Sequence, residues 1–271
     1  MKKTLLLCWF WILTATLPAY AQWGDILRMN LFSVDEDIRI GKQLQEEIAK
    51  DPKTYPILDR RRYASAYAYL ERMRDQILES GAVQYKTKFE WQVHIIQNDS
   101  VLNAFVTPGG YIYVYTGLIK FLDSEDELAG VMGHEIAHAD RRHSTQNMTK
   151  SYGVAFVLDL LTGGENGPEW GKILAGITGN LTGLQFSRTA ESEADQYSVI
   201  YLSQTGYRCD GAAGFFRKMM QSGSAAPPEF LSTHPSSERR VRDIESHARA
   251  MRCPPARSSV GSYARFKASL P

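Results

Sequence analysis

This chain lacks the charge imbalance that is typical of nucleic-acid-binding proteins. Its 271 residues carry 31 lysines and arginines against 30 aspartates and glutamates, so the formal net charge is +1. Charges of both signs are interspersed, and no stretch combines basic with aromatic side chains in the way that nucleic-acid-binding surfaces do. The composition therefore predicts no nucleic-acid partner.

Long hydrophobic runs are also missing. The apolar run Leu5–Leu17 is shorter than the roughly 20 residues with which a helix crosses a bilayer. Two lysines precede it, and Ala19-Tyr20-Ala21 places small residues at the positions that a signal peptidase reads. We therefore predict a signal peptide over residues 1–21 and a secreted mature chain. Cys8 follows leucines rather than the small residues of a lipoprotein signal, so no lipid anchor is expected.

Cysteine is scarce, with three residues in the whole chain. Removal of the signal peptide leaves Cys209 and Cys253, in a compartment where disulfides persist. We predict a bond between these two residues, which would tie the C-terminal tail to the rest of the protein. The alternative is two separate thiols.

The most informative sequence that the chain does contain is His134-Glu135-Ile136-Ala137-His138. Residues four apart on an α-helix lie one turn apart on the same face, so both imidazoles can bind one metal ion. Glu135 is then placed to accept a proton from a metal-bound water, as in zinc hydrolases. The alternative is a helix with two histidines and no metal, because so short a motif also arises by chance.

The residues around this motif favour the metal. Ser124 and Glu127 predict a capping box at the start of the helix, and Arg141 and Arg142 close its last turn, as the helix dipole favours. Between them, largely apolar residues recur at helical spacing, so this face of the helix is predicted to be buried. Buried imidazoles need polar partners, and a metal ion supplies them.

A catalytic zinc site needs a third protein ligand and an open position for water. Glu191 and Asp195 are four apart and share a helical face, whereas Glu193 points roughly opposite. One carboxylate can bind the metal while the other orients a ligating histidine, and the spacing leaves open which does which. A solvated acidic face is the alternative. The other histidines of the mature chain are His94, His143, His234 and His247.

Period-two patterns predict a small β-sheet upstream of the motif. The segments are Glu90–Gln97, Asn103–Val106 and Tyr111–Tyr115, and Pro108-Gly109-Gly110 forms a turn between the last two. A strand edge near the site could pair with an extended peptide, although simple sheet packing explains the same residues.

Helical patterns flank this sheet on both sides. Before it, we predict helices over Val34–Lys50, with a capping box, and over about Asp59–Ser80. After the motif, the apolar stretches Val154–Leu161 and Ile173–Leu184 are too short to span a bilayer. They predict soluble helices or a mobile flap over the cleft.

The order of these motifs resembles that of the M48 (Ste24/HtpX-like) zinc metallopeptidases. The resemblance runs from about residue 90 to 245, so it is far more specific than the HExxH sequence alone. The matching stretches are His134–Asp140, Ser187-Arg188 with Glu191–Asp195, Asn103–Gly110 running into Tyr111–Leu118, and Thr233-His234-Pro235-Ser236 with Arg240.

This resemblance implies one Zn²⁺ per chain, with the ligands His134, His138 and Glu191. Glu135 would be the general base, and Asp195 would orient a ligand.

The resemblance also places His234 and Arg240 near the site. There, the histidine would stabilise the oxyanion or approach the metal to restrain activity.

The implied fold is α+β, a mainly helical zincin-like metallopeptidase with a small β-sheet beside the HExxH helix. Residues 22–89 would form an N-terminal helical region that packs on the catalytic domain, and residues 90–250 would form the peptidase domain. Residues 251–271 would be a C-terminal tail, with a basic stretch of low order over Arg257–Lys267. Since a tetratricopeptide repeat takes 34 residues, more than remain after the peptidase domain, we expect the minimal form without such repeats.

The expected function is that of a zinc-dependent endopeptidase in the periplasm. Unfolded or misfolded envelope and outer-membrane proteins would be its substrates, and we expect peripheral contact with the outer membrane or its assembly machinery. The alternative is a latent peptidase scaffold that acts as a chaperone-like binding module. The intact Glu135 argues against a dead enzyme. A metallohydrolase of non-peptide bonds is a distant third.

Overall fold

The structure is a computed structural model that describes residues 30–152, 176, 177, 179, 185–221, 229–235, 237–253 and 260–271. Within these ranges the chain is mainly helical with one three-stranded sheet, which confirms the predicted α+β class. None of the helices found there is both long and apolar enough to cross a membrane. The predicted signal peptide, the stretch 154–161 and most of 173–184 lie outside the described residues.

Two helices precede the sheet. Helix α1 spans Val34–Lys50, and the predicted capping box is present, because Ser33 Oγ accepts from the Glu36 N–H and the Glu36 carboxylate accepts from the Ser33 N–H. Helix α2 spans Ala64–Leu78 and begins later than predicted. The Asp59 carboxylate accepts from the Arg62 N–H at 2.7 Å, which favours a turn before the helix starts.

The sheet has the strand order β1-β3-β2, so β2 lies at an edge. Its strands are β1 (Gln92–Ile96), β2 (Ala104–Thr107) and β3 (Tyr111–Tyr115), which confirms the predicted segments to within two residues. Strand β3 is parallel to β1 and antiparallel to β2. The turn between β2 and β3 requires glycine, because Gly109 and Gly110 have φ values of 77° and 90°.

The two faces of the sheet belong to two hydrophobic clusters. On one face, α1 packs Ile40, Leu44 and Ile48 against the ring of Phe105 and its neighbours. The other face joins the main core, together with α2 and the helices that follow the sheet. Helix α1 approaches the β2–β3 turn so closely that a Cβ on Gly41 would lie 1.8 Å from the Pro108 carbonyl oxygen. This contact holds α1 beside the edge strand.

Eight helices with assigned bounds follow the sheet in the described part of the chain, and seven of them precede the C-terminal helix. These seven are α3 (Thr116–Phe121), α4 (Glu125–Asp140), α5 (His143–Tyr152), α6 (Arg188–Leu202), α7 (Gly211–Gln221), α8 (Glu229–Thr233) and α9 (Glu238–Ala250), before the C-terminal helix described below.

Helix α4 carries the HExxH sequence and is buried on nearly every side from Leu128 onwards, rather than along one stripe. Small residues allow this close packing. A Cβ on Gly130 would lie 2.1 Å from the Ala212 nitrogen of α7, and one on Gly133 would lie 2.8 Å from the Ser198 hydroxyl of α6.

The start of α4 differs from the predicted capping box. Ser124 Oγ accepts from the Glu127 N–H at 3.2 Å, as predicted. The Glu127 carboxylate, however, accepts from the Asp123 N–H at 2.7 Å and not from Ser124. The second half of the predicted box is therefore wrong, because the Glu127 carboxylate bonds the N–H one residue before the N-cap.

The C-terminal tail is not of low order, and that prediction is wrong for residues 260–267. Helix α10 spans Val260–Ala268 and buries Tyr263 and Phe266. The Phe266 ring stacks on Tyr69 of α2 with centroids 4.2 Å apart, and the Tyr263 hydroxyl donates to the Ile119 carbonyl at 2.8 Å. Two aromatic side chains three residues apart are enough to dock a short basic helix.

The predicted disulfide is present. Cys209 and Cys253 are bonded, with their Cα atoms 6.3 Å apart. The bond joins the residues just before α7 to those just after α9, so it closes a loop that contains α8 and His234.

Candidate metal centre

Helix α4 brings the two histidines of the motif together. His134 and His138 lie one turn apart, and their Nε2 atoms are 3.0 Å from each other. Both side chains are buried, as is Glu135 between them. Because small residues let α6 and α7 approach α4 closely, these two helices shield the polar groups from solvent.

Two other segments contribute a donor each. Glu191 lies in the first turn of α6, with its two carboxylate oxygens 3.5 Å from His134 Nε2 and 3.5 Å from His138 Nε2. His234 follows α8, and its Nδ1 atom is 3.2 Å from His134 Nε2 and 2.9 Å from a Glu191 oxygen. The structure thus brings the three predicted ligands together and adds His234 to them.

These four side chains fit a zinc ion. One donor atom from each of His134, His138, Glu191 and His234 lies within 4.8 Å of the other three, and all four residues are buried. Imidazole nitrogens and a carboxylate oxygen are ligands that zinc prefers, and four protein ligands make a closed, tetrahedral type of site. A catalytic site keeps one of those positions open, so the placement of His234 matters for activity.

The electrostatics of the centre favour a cation. Burial lowers the pKa of His134, but hydrogen bonds to Asp195 and Glu191 outweigh this and raise it to about 9. Burial raises the pKa of Glu191, but the positive charge of His234 and hydrogen bonds from the three histidines hold it well below its usual value. The carboxylates that favour a proton on His134 also favour a divalent cation at the same place.

Asp195 and Arg240 lie behind His134. The Nδ1 atom of His134 is 3.0 Å from an Asp195 oxygen, within hydrogen-bonding range. The Arg240 guanidinium donates to both oxygens of Asp195 at 2.7 Å, and it also lies 2.8 Å from Glu191. Arg240 therefore links the two carboxylates of α6, and both predicted residues lie next to the donor cluster.

His143 lies behind His138, and the sequence did not assign it a role. The Nδ1 atoms of His138 and His143 are 3.0 Å apart. Glu193 points away from the donor cluster, as predicted, and its carboxylate accepts from Arg141 at 2.8 Å and lies 3.5 Å from His143 Nε2. A spacing of five residues does not put His138 and His143 on one helical face, so no periodic pattern could reveal this contact.

Glu135 has the environment of a general base. Neither of its carboxylate oxygens has a hydrogen-bond partner in the described part of the chain. Burial raises the pKa of Glu135, while the positive charges of His234 and His134 oppose that increase. His234 Nε2 lies 3.6 Å from one of its oxygens. This carboxylate is therefore free to accept a proton from a molecule beside it.

A narrow cavity of about 40 Å³ lies beside Glu135. The edge strand β2 lines it with Phe105, Val106 and Thr107, while Leu44 of α1 and Met148 of α5 narrow it from other sides. Ligand sites usually measure about 300–1,000 Å³, so a peptide does not fit this cavity as it stands. A larger cavity of about 630 Å³ lies on the α6 and α9 side of the centre.

Comparison with known proteins agrees with this geometry. Residues 64–248 match the sequence profile of peptidase family M48, and the match begins at the first residue of α2. The chain belongs to peptidase family M48. This confirms the predicted family, and it confirms the metalloendopeptidase class at the level of that family. The predicted domain boundaries stay predictions.

Individual M48 relatives are similar over much of this chain. A mitochondrial metalloendopeptidase, OMA1, of Schizosaccharomyces pombe is 30% identical over 230 residues, which are 80% of this chain and 63% of the relative. A beta-barrel assembly-enhancing protease of Escherichia coli (strain K12) is 32% identical over 198 residues, or 69% of this chain and 40% of the relative. The chain thus spans less than two thirds of the length of these curated relatives.

Proposed function

We propose that this M48 protein is a zinc-dependent endopeptidase. The observation that carries the proposal is the convergence of four buried donor atoms next to Glu135, whose carboxylate oxygens accept no hydrogen bond from the residues that the structure describes. In this proposal, His134, His138 and Glu191 hold the zinc ion in every state. Zinc, when bound, acidifies a water molecule and polarises the substrate carbonyl.

Glu135 does the proton transfer. Its carboxylate accepts a proton from the attacking water and then delivers it to the nitrogen of the leaving amine. Burial supports both steps, because a raised pKa makes this carboxylate a stronger base and allows it to hold the proton between them. The other two carboxylates that the described residues bring to the centre, Glu191 and Asp195, are paired with histidines and with Arg240.

Asp195 and Arg240 act in the proposal as positioning residues. Asp195 holds His134 through its Nδ1 atom, and Arg240 holds Asp195 by two hydrogen bonds of 2.7 Å. A carboxylate behind a ligating imidazole fixes the tautomer and the orientation of the ring. Neither residue needs to touch the substrate.

We further propose that His234 restrains the enzyme. Its Nδ1 atom lies within the donor cluster, where a catalytic zinc site would hold water or substrate. The narrow cavity beside Glu135 supports the same conclusion, because its volume of about 40 Å³ is well below the roughly 300–1,000 Å³ that is usual for ligand sites. Activity then requires His234 to leave the cluster and the cavity to widen. Of the two roles that the resemblance implied, the restraining one has the structural support.

Edge strand β2 is the proposed docking site for the substrate backbone. The strand pairs with β3 on one side, and its residues Phe105, Val106 and Thr107 line the same cavity as Glu135. An extended peptide that adds to this edge would place a peptide bond beside the base, with recognition mainly through the main chain. Asn103 precedes the strand, and both polar atoms of its buried amide lack a partner among the described residues.

The proposed place of action is the periplasm, and the proposed substrates are misfolded envelope or outer-membrane proteins. The predicted signal peptide and the disulfide support an oxidising compartment. The name of the Escherichia coli relative points to the assembly of β-barrel proteins, and peripheral contact with the outer membrane or its assembly machinery is proposed on that ground. The Schizosaccharomyces pombe relative is mitochondrial, so members of the family also act in another compartment.

A Glu135→Gln variant tests the peptidase proposal. The zinc-loaded variant is compared with the wild type on unfolded casein and on an unfolded outer-membrane protein. We expect the variant to keep one zinc per chain and to lose cleavage by at least about a hundredfold, because general bases contribute about 10²–10⁴-fold to catalysis. Cleavage by the variant at the wild-type rate would contradict the proposal.

The latent scaffold is the second candidate function, because His234 and the narrow cavity leave the centre closed. The same variant separates the two functions. If the protein suppresses aggregation of an unfolded client and Glu135→Gln does so equally well while neither protein cleaves it, the chaperone-like function is favoured.

A further inference from the structure

His138 can bind a metal through Nε2 only if its single proton is on Nδ1. A neutral imidazole carries one N–H, and the nitrogen that faces the donor cluster must offer a lone pair. The Nε2 atom of His138 is the one that lies 3.0 Å from His134 Nε2 and 3.5 Å from Glu191. The Nδ1–H therefore points away from the cluster and needs an acceptor.

That acceptor is His143 Nδ1, at 3.0 Å. A nitrogen that accepts a hydrogen bond carries no proton, so the proton of His143 is on its Nε2 atom. The Nε2 atom lies 3.5 Å from the Glu193 carboxylate and makes no hydrogen bond within the described part of the chain, and the carboxylate is itself held by Arg141 at 2.8 Å. The Nδ1–H of His138 thus points towards His143, and the Nε2–H of His143 lies on the side of the ring nearer to Glu193.

The arrangement parallels the one behind the other histidine of the motif. His134 is backed by Asp195, which Arg240 holds. His138 is backed by Glu193, which Arg141 holds, with the His143 ring inserted between the imidazole and the carboxylate. Each ligating imidazole thus has a carboxylate and an arginine behind it.

The backbone conformation between α4 and α5 places His143 beside His138. Arg142 has a φ of 60°, in the left-handed region that residues other than glycine seldom adopt. Its side chain is anchored by donating to Asp37 and to the Phe32 carbonyl. The turn carries His143 back under α4, where its ring is buried against His138 and lies near Phe186.

We propose that His143 is a positioning residue that fixes the tautomer and the ring orientation of the metal ligand His138, and that Glu193 and Arg141 hold His143 in turn. This inference rests on the proposed zinc-peptidase function, because it assigns a support to one of the proposed ligands. It concerns only this chain's own residues and the geometry between them.

Two amide variants test the inference. In His143→Asn the side-chain oxygen can take the place of Nδ1 and still accept from His138. In His143→Gln the amide reaches the place of Nε2 and leaves the Nδ1–H of His138 without an acceptor. The two replacements are alike in polarity, so a difference between them reports the position of the acceptor rather than the loss of a buried ring.

The measured quantities are zinc affinity, by competition with a chromogenic chelator, and the visible spectrum of the Co²⁺-substituted full chain. We expect His143→Asn to bind zinc within a few-fold of the wild type with an unchanged spectrum. His143→Gln should bind about 10–100-fold more weakly with a shifted spectrum, as is usual when the group that orients a metal ligand is lost. The kcat on casein should fall for His143→Gln with little change in KM.

The outcomes distinguish a failure of the proposed zinc-peptidase function from a failure of the proposed role of His143. Failure of the wild type to bind zinc would remove the proposed function itself. A wild type that binds zinc, together with asparagine and glutamine variants that bind it equally well or are equally impaired, would overturn the role of His143 alone. Circular dichroism of the metal-free proteins checks that both variants fold.

Discussion

His94 should make the protein sensitive to mild acid. It lies in β1 with its ring stacked on Tyr113, at a centroid distance of 4.8 Å, and its buried Nε2 atom has no hydrogen-bond partner among the described residues. Burial, with a smaller contribution from the positive charge of Arg60, lowers the pKa of His94 to about 4 from its usual 6.5. The folded protein therefore holds this imidazole neutral at pH values where the unfolded chain protonates it.

The sign and the size of the effect follow from proton linkage. A pKa that is lower in the folded state gives stability that is present above pH 6.5 and is lost as the pH falls from 6.5 towards 4. A difference of about 2.5 pKa units corresponds to a loss of about 3 kcal/mol at pH 4, and of about 2 kcal/mol at pH 5. Both are upper values, because the side chain is only partly enclosed.

The assay is urea unfolding of wild type and His94→Phe between pH 7.5 and 4.5. Phenylalanine keeps the stacking on Tyr113 and does not titrate. Other groups also titrate over this range, so the informative quantity is the difference between the two proteins. We expect the wild type to lose about 2 kcal/mol relative to the variant between pH 7 and pH 5. Parallel pH profiles for the two proteins would refute the reasoning.

Three further predictions concern stability. Reduction of the Cys209–Cys253 bond, or replacement of both cysteines by serine, should lower the free energy of unfolding in urea by up to about 4 kcal/mol, because it opens a loop of 44 residues. A decrease below about 1 kcal/mol would contradict this. Phe266→Ala should cost about 3–5 kcal/mol by the same assay, since it removes a buried ring that docks α10, and an unchanged midpoint would mean that α10 is not part of the fold. Arg240→Met should destabilise the metal-free protein by about 3–5 kcal/mol, because it leaves the buried carboxylates of Glu191 and Asp195 without their guanidinium partner. Added zinc should restore part of the lost stability. A metal-free variant as stable as the wild type would count against the pairing.

The sequence allowed good predictions wherever the structure depends on local rules. The capping box of α1, the three strands and the glycine turn all follow from residues a few positions apart. The HExxH spacing alone indicated that His134 and His138 lie together on one face of α4, where their donor atoms meet those of Glu191 and His234. The disulfide was predicted from the two cysteines that remain after the predicted signal peptide.

The predictions failed where a contact depends on the path of the chain between elements. His143 reaches His138 only because Arg142 adopts a left-handed conformation, and no pattern in the residues announces that turn. The direction of Glu193 was predicted correctly, but its partners were not, because Arg141 and His143 lie at the end of α4 and the start of α5. Helix α10 was not predicted, because its basic residues indicated a solvated tail and its two buried aromatic side chains were given too little weight.

Zinc content is the most direct test of the central claim, which is that side chains of α4 and α6 jointly bind one catalytic ion. The purified full chain is incubated with excess Zn²⁺, dialysed and assayed for bound metal beside a Glu191→Ala variant. The account predicts one tightly held zinc per wild-type chain and greatly weakened binding by the variant. A wild type that retains no zinc, or a variant that retains it as tightly, would contradict the account.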